Sequence, residues 1–331
     1  MKKIIKYFKK NELFSVTYFL TRKCNSKCMI CNLWKQKGDV NKLNFMEWKR
    51  AFSSIGEIPW VTFTGGEPLL KKDFLKIFEE CIKIQNPDVI TIPTNGINTK
   101  LIKTKIENIL NSNNKTKIYV NVSLDGLEEK NNYIRGTKFD YKNTIKTLES
   151  LSILKDQNNN LKLGINTVIL DENIDEVLKL KGKINSEFNI DNHLFEVAQN
   201  RVELNNLETS LIKKNQKLIN LLEILKRESK KSFFSMKDPI RDSFRYKYYN
   251  LLIKHLLGEN IKSECLAGRK HVQIQNNGDV ISCGNRGLVL GNLREERYNF
   301  WKILNSKRAE NIRKKISNCY CFSSQSNYFR R

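Results

Sequence analysis

The sequence predicts an α/β fold, a partial (β/α)6 TIM-like barrel followed by a small C-terminal unit of β-hairpin and helix. Three observations carry this reading. From Leu13 to about Gln199, short β-rich runs alternate with helical patterns, the mark of a parallel sheet covered by helices. The residues best suited to chemistry fall just past the predicted strand ends, where such folds gather their active loops. From Cys265 the texture changes to two short apolar runs around Asn276-Asn277-Gly278-Asp279, a hairpin signal.

The elements follow in order. Predicted strands cover 15–19, 60–63, 89–92, 118–124, 162–169 and 193–197, and predicted helices 46–54, 73–83, 101–110, 142–154 and 175–188. Six β/α units are too few for a closed eight-unit barrel and suit an open one. Within 74–84, Leu75, Phe78 and Ile82 recur at helical spacing, which makes the isolated Cys81 a core thiol rather than a ligand. Amphipathic patterns at 207–227 and 244–257 form a helical bridge. The hairpin strands are 271–275 and 280–283. The expected division is 1–200 for the barrel, 201–261 for the bridge and 262–331 for the C-terminal unit.

Composition bounds the rest. A chain of 331 residues with 40% apolar content supports one large domain with an appendage, not a disordered protein. Lys plus Arg number 59 against 35 Asp plus Glu, a net charge of +24. Such charge keeps nucleic acid open as a partner, but no dense basic run with interleaved aromatics backs it, so solvated faces are the favoured reading. Lys9, Lys10, Asn11 and Glu12 interrupt the apolar residues near the N-terminus, against a signal peptide. No stretch approaches the roughly 20 apolar residues a membrane span needs. The expectation is a cytoplasmic protein with no membrane partner.

Eight cysteines in a reducing cytosol read as metal ligands before disulfides. Cys24-x3-Cys28-x2-Cys31 puts three thiolates in the loop after the first strand, with no fourth Cys or His close by. Structural zinc normally needs that fourth ligand, whereas a four-iron cluster can keep one iron open. Spacing alone favours the cluster and leaves zinc open. A second group, Cys265, Cys283, Cys319 and Cys321, brackets the hairpin. These four also read as metal ligands before disulfides.

The order of motifs resembles the radical S-adenosylmethionine (SAM) superfamily across about 13–199. Cys24, Cys28 and Cys31 precede Gly65-Gly66-Glu67-Pro68, then Thr94-Asn95-Gly96, Ser123-Leu124-Asp125-Gly126 and Ile134-Arg135-Gly136. The resemblance implies a [4Fe–4S] cluster on the three cysteines, with SAM on its open iron. It implies SAM contacts from Gly65, Gly66, Glu67, Ser123, Arg135 and Asn166. The two glycines would let the backbone approach the methionine amino group, Ser123 and Asn166 would meet the ribose, and Arg135 the carboxylate. The residue before the third cysteine, often aromatic in the family, is Ile30 here, with Trp34 a candidate to compensate.

From Cys265 onward the sequence resembles the SPASM domain in its shorter twitch form, which holds one auxiliary [4Fe–4S] cluster. The single residue Tyr320 between the last two cysteines departs from the usual spacing of two, which leaves three or four ligands open. The resemblance implies an enzyme that cleaves SAM reductively and abstracts a substrate hydrogen. An oxidation (dehydrogenation) or a peptide modification then suits the auxiliary cluster. The implied partners are a small-molecule or peptide substrate and an electron donor such as flavodoxin or ferredoxin. About 12 residues precede the first strand, short for a leader-recognition domain, which tilts the expectation toward a small molecule or a separately delivered peptide. The competing readings are a radical SAM enzyme acting on RNA and a zinc-stabilised binding protein. No catalytic base stands out. His193, Glu196 and His271 are candidates, each read first as structural.

Overall fold

Apolar residues alternate along six successive strands so that one sheet face is greasy, and the helices between the strands cover it. In the computed structural model these are β1 (Ser15–Phe19), β2 (Trp60–Thr64), β3 (Val89–Thr94), β4 (Lys117–Ser123), β5 (Leu161–Ile169) and β6 (Asn192–Val197). The intervening helices are α1 (Phe45–Ile55), α2 (Phe74–Gln85), α3 (Thr99–Ser112), α4 (Glu128–Arg135), α5 (Asp140–Gln157) and α6 (Val177–Glu187). The structure describes residues 13–317, 319 and 321, apart from 37, 40, 209–210, 235–238, 260 and 262–263. The expectations for 1–12 and for Tyr320 lie outside the described residues.

Val16, Tyr18, Val61, Phe63, Ile90, Ile92, Val120, Val122, Leu163 and Ile165 form one core with Trp48, Phe52, Phe78, Ile106 and Leu151 from the helices. This burial supplies the main stabilisation. The opposite sheet face is polar. In register across it stand Gln273, Thr17, Thr62, Thr91 and Tyr119 in one row, and Asn121, Gly164 and Asn192 in another. The barrel interior is therefore lined by polar side chains, in contrast to the apolar helix side.

The C-terminal hairpin belongs to the same sheet. β7 (His271–Ile274) pairs in parallel with β1, and β8 (Asp279–Ile281) and β9 (Val289–Asn292) follow antiparallel. Strand order is β6-β5-β4-β3-β2-β1-β7-β8-β9. The short helices α9 (Phe300–Leu304) and α10 (Lys307–Ile316) come after the hairpin.

Between barrel and hairpin, α7 (Gln216–Phe234) and α8 (Pro239–Leu256) pack on β6 through Leu218, Leu222, Tyr248 and Leu252. The helix expected over 207–227 therefore starts at Gln216. Asn215 explains this, because its side chain accepts the Leu218 N–H and opens the helix. Among the described residues, no helix is long and apolar enough to cross a membrane.

Candidate iron–sulfur and SAM site

The loop after β1 is clamped from three sides. Lys27 and Met29 N–H groups donate to the carbonyls of Arg135 and Ile134 at the end of α4, and the Ser26 hydroxyl donates to Arg135 O at 3.0 Å. Gly66 and Glu67 N–H groups donate to Thr21 O (2.7 Å) and Lys23 O (2.8 Å). Asp39 accepts from Thr21 Oγ1 (2.7 Å), the Arg22 N–H (2.5 Å) and Asn276 Nδ2 (2.9 Å), which ties the loop to the hairpin turn.

Glycines make these approaches feasible. A Cβ on Gly65 would lie 2.3 Å from Thr21 O, one on Gly66 2.3 Å from Lys23 O, and one on Gly136 2.3 Å from Lys27 O. All three missing side chains therefore serve the cysteine loop. For Gly65 and Gly66 this is a different physical reason from the expected approach to the methionine amino group.

Within the loop, polar hydrogens point at sulfur. Ser26 N–H lies 3.4 Å from Cys24 Sγ and Asn95 Nδ2 3.7 Å from the same sulfur, while Ser26 Oγ, its hydrogen given to Arg135 O, accepts from Cys28 Sγ at 3.1 Å. Burial pushes the Cys24 thiol up to about 11 and Cys31 up to about 12. The protein alone thus holds them as thiols at neutral pH, and a bound iron would supply the charge that makes them thiolates. The donors at sulfur and the partly buried cysteines fit a cluster.

Glu67 is buried and fully engaged. One oxygen accepts the Leu69 N–H (3.2 Å), the other the Asn95 N–H (2.7 Å) and Thr94 Oγ1 (3.1 Å). Burial raises its pKa to about 7 against these hydrogen bonds. Its carboxylate fastens the β2 loop to the β3 loop. Arg135 donates through Nη1 to Asp125 Oδ2 at 2.8 Å, and its Nε lies 3.7 Å from Asp140 Oδ2 with no hydrogen bond. Burial works against its charge, but Cys28, Asp125 and Asp140 raise its pKa on balance.

Ser123, the last residue of β4, is paired in register with Asn166 within β5. Buried Asn166 Oδ1 has no hydrogen-bond partner, and neither do Thr17 Oγ1, Asn121 Oδ1, Asn192 Oδ1 and Gln273 Nε2 on the same sheet face. An acceptor waiting beside Ser123 fits a ligand hydroxyl there.

Ile30 packs with Met29, Ile134, Leu170 and Ala198. Trp34 is exposed, with Lys27 and Lys35 over its ring at 6.0 and 5.3 Å, so it does not substitute for an aromatic at position 30. His193 lies on the helix side, hydrogen-bonded to Thr167 and stacked on Phe195 at 4.0 Å. His271 is buried against Ser15 Oγ at 2.8 Å. Both histidines read as structural.

At the other site, Cys265 and Cys283 share an apolar cluster with Ala267 and Ile316, and Cys319 packs against it. Cys265 N–H donates to Ser317 O, Cys319 N–H to Ile316 O, and Arg286 Nε to Cys319 Sγ at 3.2 Å. Burial raises Cys283 to about 11, with Cys321 and Cys265 adding to the effect. All four cysteines of the second group thus lie in one neighbourhood. Among the described residues, no three His, Cys, Asp or Glu side chains converge on a single metal ion. Sequence reasoning passed over Ser26, Asp39 and Asn206, whose side chains hold the loop. None lies in a periodic pattern, and only the folded loop shows their use.

A parallel partial barrel with a sulfur-lined loop at its strand tops is a cluster-binding α/β barrel with a second sulfur site. The chain belongs to the radical SAM superfamily, whose family model matches residues 18–183. A second model, the SPASM iron–sulfur cluster-binding domain, matches 265–323. The cofactors are accordingly a [4Fe–4S] cluster with SAM and an auxiliary iron–sulfur centre.

The chain is 32% identical over 226 residues to GTP 3′,8-cyclase of Clostridium perfringens, covering 64% of this chain and 61% of that enzyme. It therefore spans less than two thirds of that relative. Fe-coproporphyrin III synthase of Methanosarcina barkeri is 29% identical over 51% of this chain and 40% of its own length. Among solved structures, Streptococcus suis SuiB bound to SAM superposes with a TM-score of 0.63 at 18% identity, over 94% of this chain and 71% of its own. Native anSMEcpe with bound SAM and a peptide gives 0.61 at 18%, over 90% and 81%. At such identities the likeness is one of fold.

Proposed function

We propose that Cys24, Cys28 and Cys31 hold the SAM-binding [4Fe–4S] cluster, and that Cys265, Cys283, Cys319 and Cys321 supply the auxiliary one. On this reading the chain is a radical SAM oxidoreductase or maturase. The observation that carries it is the loop of 24–31, braced by α4 and the Gly65-Gly66-Glu67 turn, with the Ser26 and Asn95 N–H groups aimed at the Cys24 sulfur. When bound, the cluster and SAM supply a 5′-deoxyadenosyl radical that removes a hydrogen atom from the substrate.

The chain's own residues do the rest. Ser123 and Asn166 bind the ribose, Arg135 offers its unpartnered Nε to the carboxylate, and the Thr and Asn rows of the barrel interior orient a polar substrate. The peptide-bound neighbour supports a peptide substrate. A second reading, a nucleotide substrate turned over without net oxidation, draws on the likeness to GTP 3′,8-cyclase. The division into 1–200, 201–261 and 262–331 belongs to the same proposal, with the hairpin unit carrying the auxiliary cluster.

Anaerobic purification with iron and acid-labile sulfide counts tests the ligand assignment. About eight irons per chain are expected, and about four in a Cys24→Ala, Cys28→Ala, Cys31→Ala variant. Loss of 5′-deoxyadenosine formation should accompany that variant. Stimulation of SAM cleavage by GTP, against stimulation by peptides, decides between the two substrate classes.

A further inference from the structure

Leaving β6, the segment 199–206 touches both cysteine sites. Toward the first, Asn32 N–H donates to Leu204 O (2.9 Å), Asn32 Nδ2 to Asn205 O (2.8 Å) and Asn206 Nδ2 to Ile30 O (2.7 Å). These bonds bracket Cys31. Toward the second, Val202 N–H donates to Asn285 O (3.2 Å), Glu203 N–H to Gly284 O (3.1 Å) and Asn285 Nδ2 to Gln199 Oε1 (2.6 Å). These bonds follow directly on Cys283.

Packing along this strap is equally close. A Cβ on Gly284 would lie 2.0 Å from a Glu203 carboxylate oxygen, and one on Gly287 would lie 2.5 Å from Val202 Cγ1. The Glu203 carboxylate therefore rests on the backbone one residue beyond Cys283, while the next carbonyl along the strap holds the residue after Cys31. Arg201 reaches Glu203 at 3.5 Å and Glu196 at 3.7 Å. Both contacts are longer than a charge-assisted hydrogen bond. One guanidinium thus stands between two carboxylates.

We propose that this strap is the shared tuning element of the two centres, with Glu203 placing one negative charge in the field of both. The inference rests on the cysteine assignments above. A nearby negative charge disfavours adding an electron to an iron–sulfur centre, so it lowers the reduction potential, and removing the charge raises it. Glu203 acts through the centres and is a positioning residue. Cys31 and Cys283 both feel its charge, and Cys321 feels that of Arg201, in keeping with the placement of the strap.

The test is a potentiometric titration of the holoenzyme followed by electron paramagnetic resonance, with iron and sulfide counted on the same samples. Glu203→Gln should make both centres easier to reduce, Glu203→Asp should leave them near the parent values, and Arg201→Gln should make both harder to reduce. The opposite sign for Arg201→Gln separates a charge effect from simple damage, and it stands alone should Glu203→Gln fail to fold. With the full iron complement, a shift in one centre only, or in neither, overturns the proposal. An iron count near four in the parent chain overturns the ligand assignment and takes the inference with it.

Discussion

A methyl group on Gly66 would sit 2.3 Å from Lys23 O and 2.7 Å from Lys23 C, both backbone atoms that cannot swing aside. Gly66→Ala must therefore push the cysteine loop away from the β2 turn. Overpacking of this kind costs about 1–3 kcal/mol. The expected outcome is a lower melting temperature in the metal-free chain and at least a tenfold loss of retained iron. Glu67 gives a second prediction at this scale. Its pKa is raised to about 7 by burial, so the unfolded chain, with an ordinary carboxyl, releases its proton first as pH rises. Stability is full below about pH 4.5 and is lost as pH climbs through about 7. Glu67→Gln removes that one-proton slope from melting curves across this window. It also lowers stability by about 1–3 kcal/mol, because an amide cannot accept at both positions. At this scale the sequence was informative where a motif marked the residue and silent where only contacts do. Gly65, Gly66 and Gly136 stood out by motif, but that their bare Cα atoms face Thr21, Lys23 and Lys27 depends on loop paths no local pattern encodes.

Elements hold the loops in turn. Lys105 on α3 is buried and donates to Leu69 O (2.7 Å) and Lys71 O (2.8 Å), carbonyls at the end of the short 3-10 turn after Glu67. Its ammonium also sits 5.6 Å from the centre of the Phe74 ring. Burial lowers its pKa, while the carboxylates of Glu67 and Asp73 oppose that shift. Lys105→Met keeps the apolar stem and removes the donor to both carbonyls, of which Lys71 O retains the Phe74 N–H. The expected result is a loss of about 1–3 kcal/mol with SAM binding weakened and iron content retained, read by chemical denaturation and by titration calorimetry of the reconstituted chain. A drop in iron equal to the drop in SAM binding would count against a local role. All six barrel strands and five of the helices were legible, because long elements with one apolar face announce their period. The helix α4 (Glu128–Arg135) escaped because only Ile134 and two polar residues of it are buried. Its importance lies in its last turn, whose carbonyls accept from Ser26, Lys27 and Met29.

For the whole molecule, the sheet runs through β1 without a break, which changes the meaning of the C-terminal unit. The hairpin signal at 276–279 was clear, yet its partner was not, since β1 is more than 250 residues away and its two faces give no hint of a neighbour on either side. β7 pairs with β1 from Ser15 to Tyr18, Glu47 on α1 holds Arg294 and Tyr298 at 2.6 Å each, and Leu43 N–H donates to Asn276 O at 2.6 Å. The Arg294 guanidinium pulls Glu47 down to about 2. Those contacts make β1, the strand that launches the cysteine loop, an interior strand. A chain ended at 261 would leave it an edge, with unpaired N–H and C=O groups beside the loop. Such a chain is expected to be largely insoluble, whereas one carrying Cys265, Cys283, Cys319 and Cys321 as serines should stay soluble, because the strand pairing survives without the metal ligands. Hydrogen exchange on the serine variant provides the finer check. Amides of β1 should remain as protected as those of β2 and β3. Rapid exchange in β1 would mean that the metal, and not the sheet, joins the hairpin to the barrel.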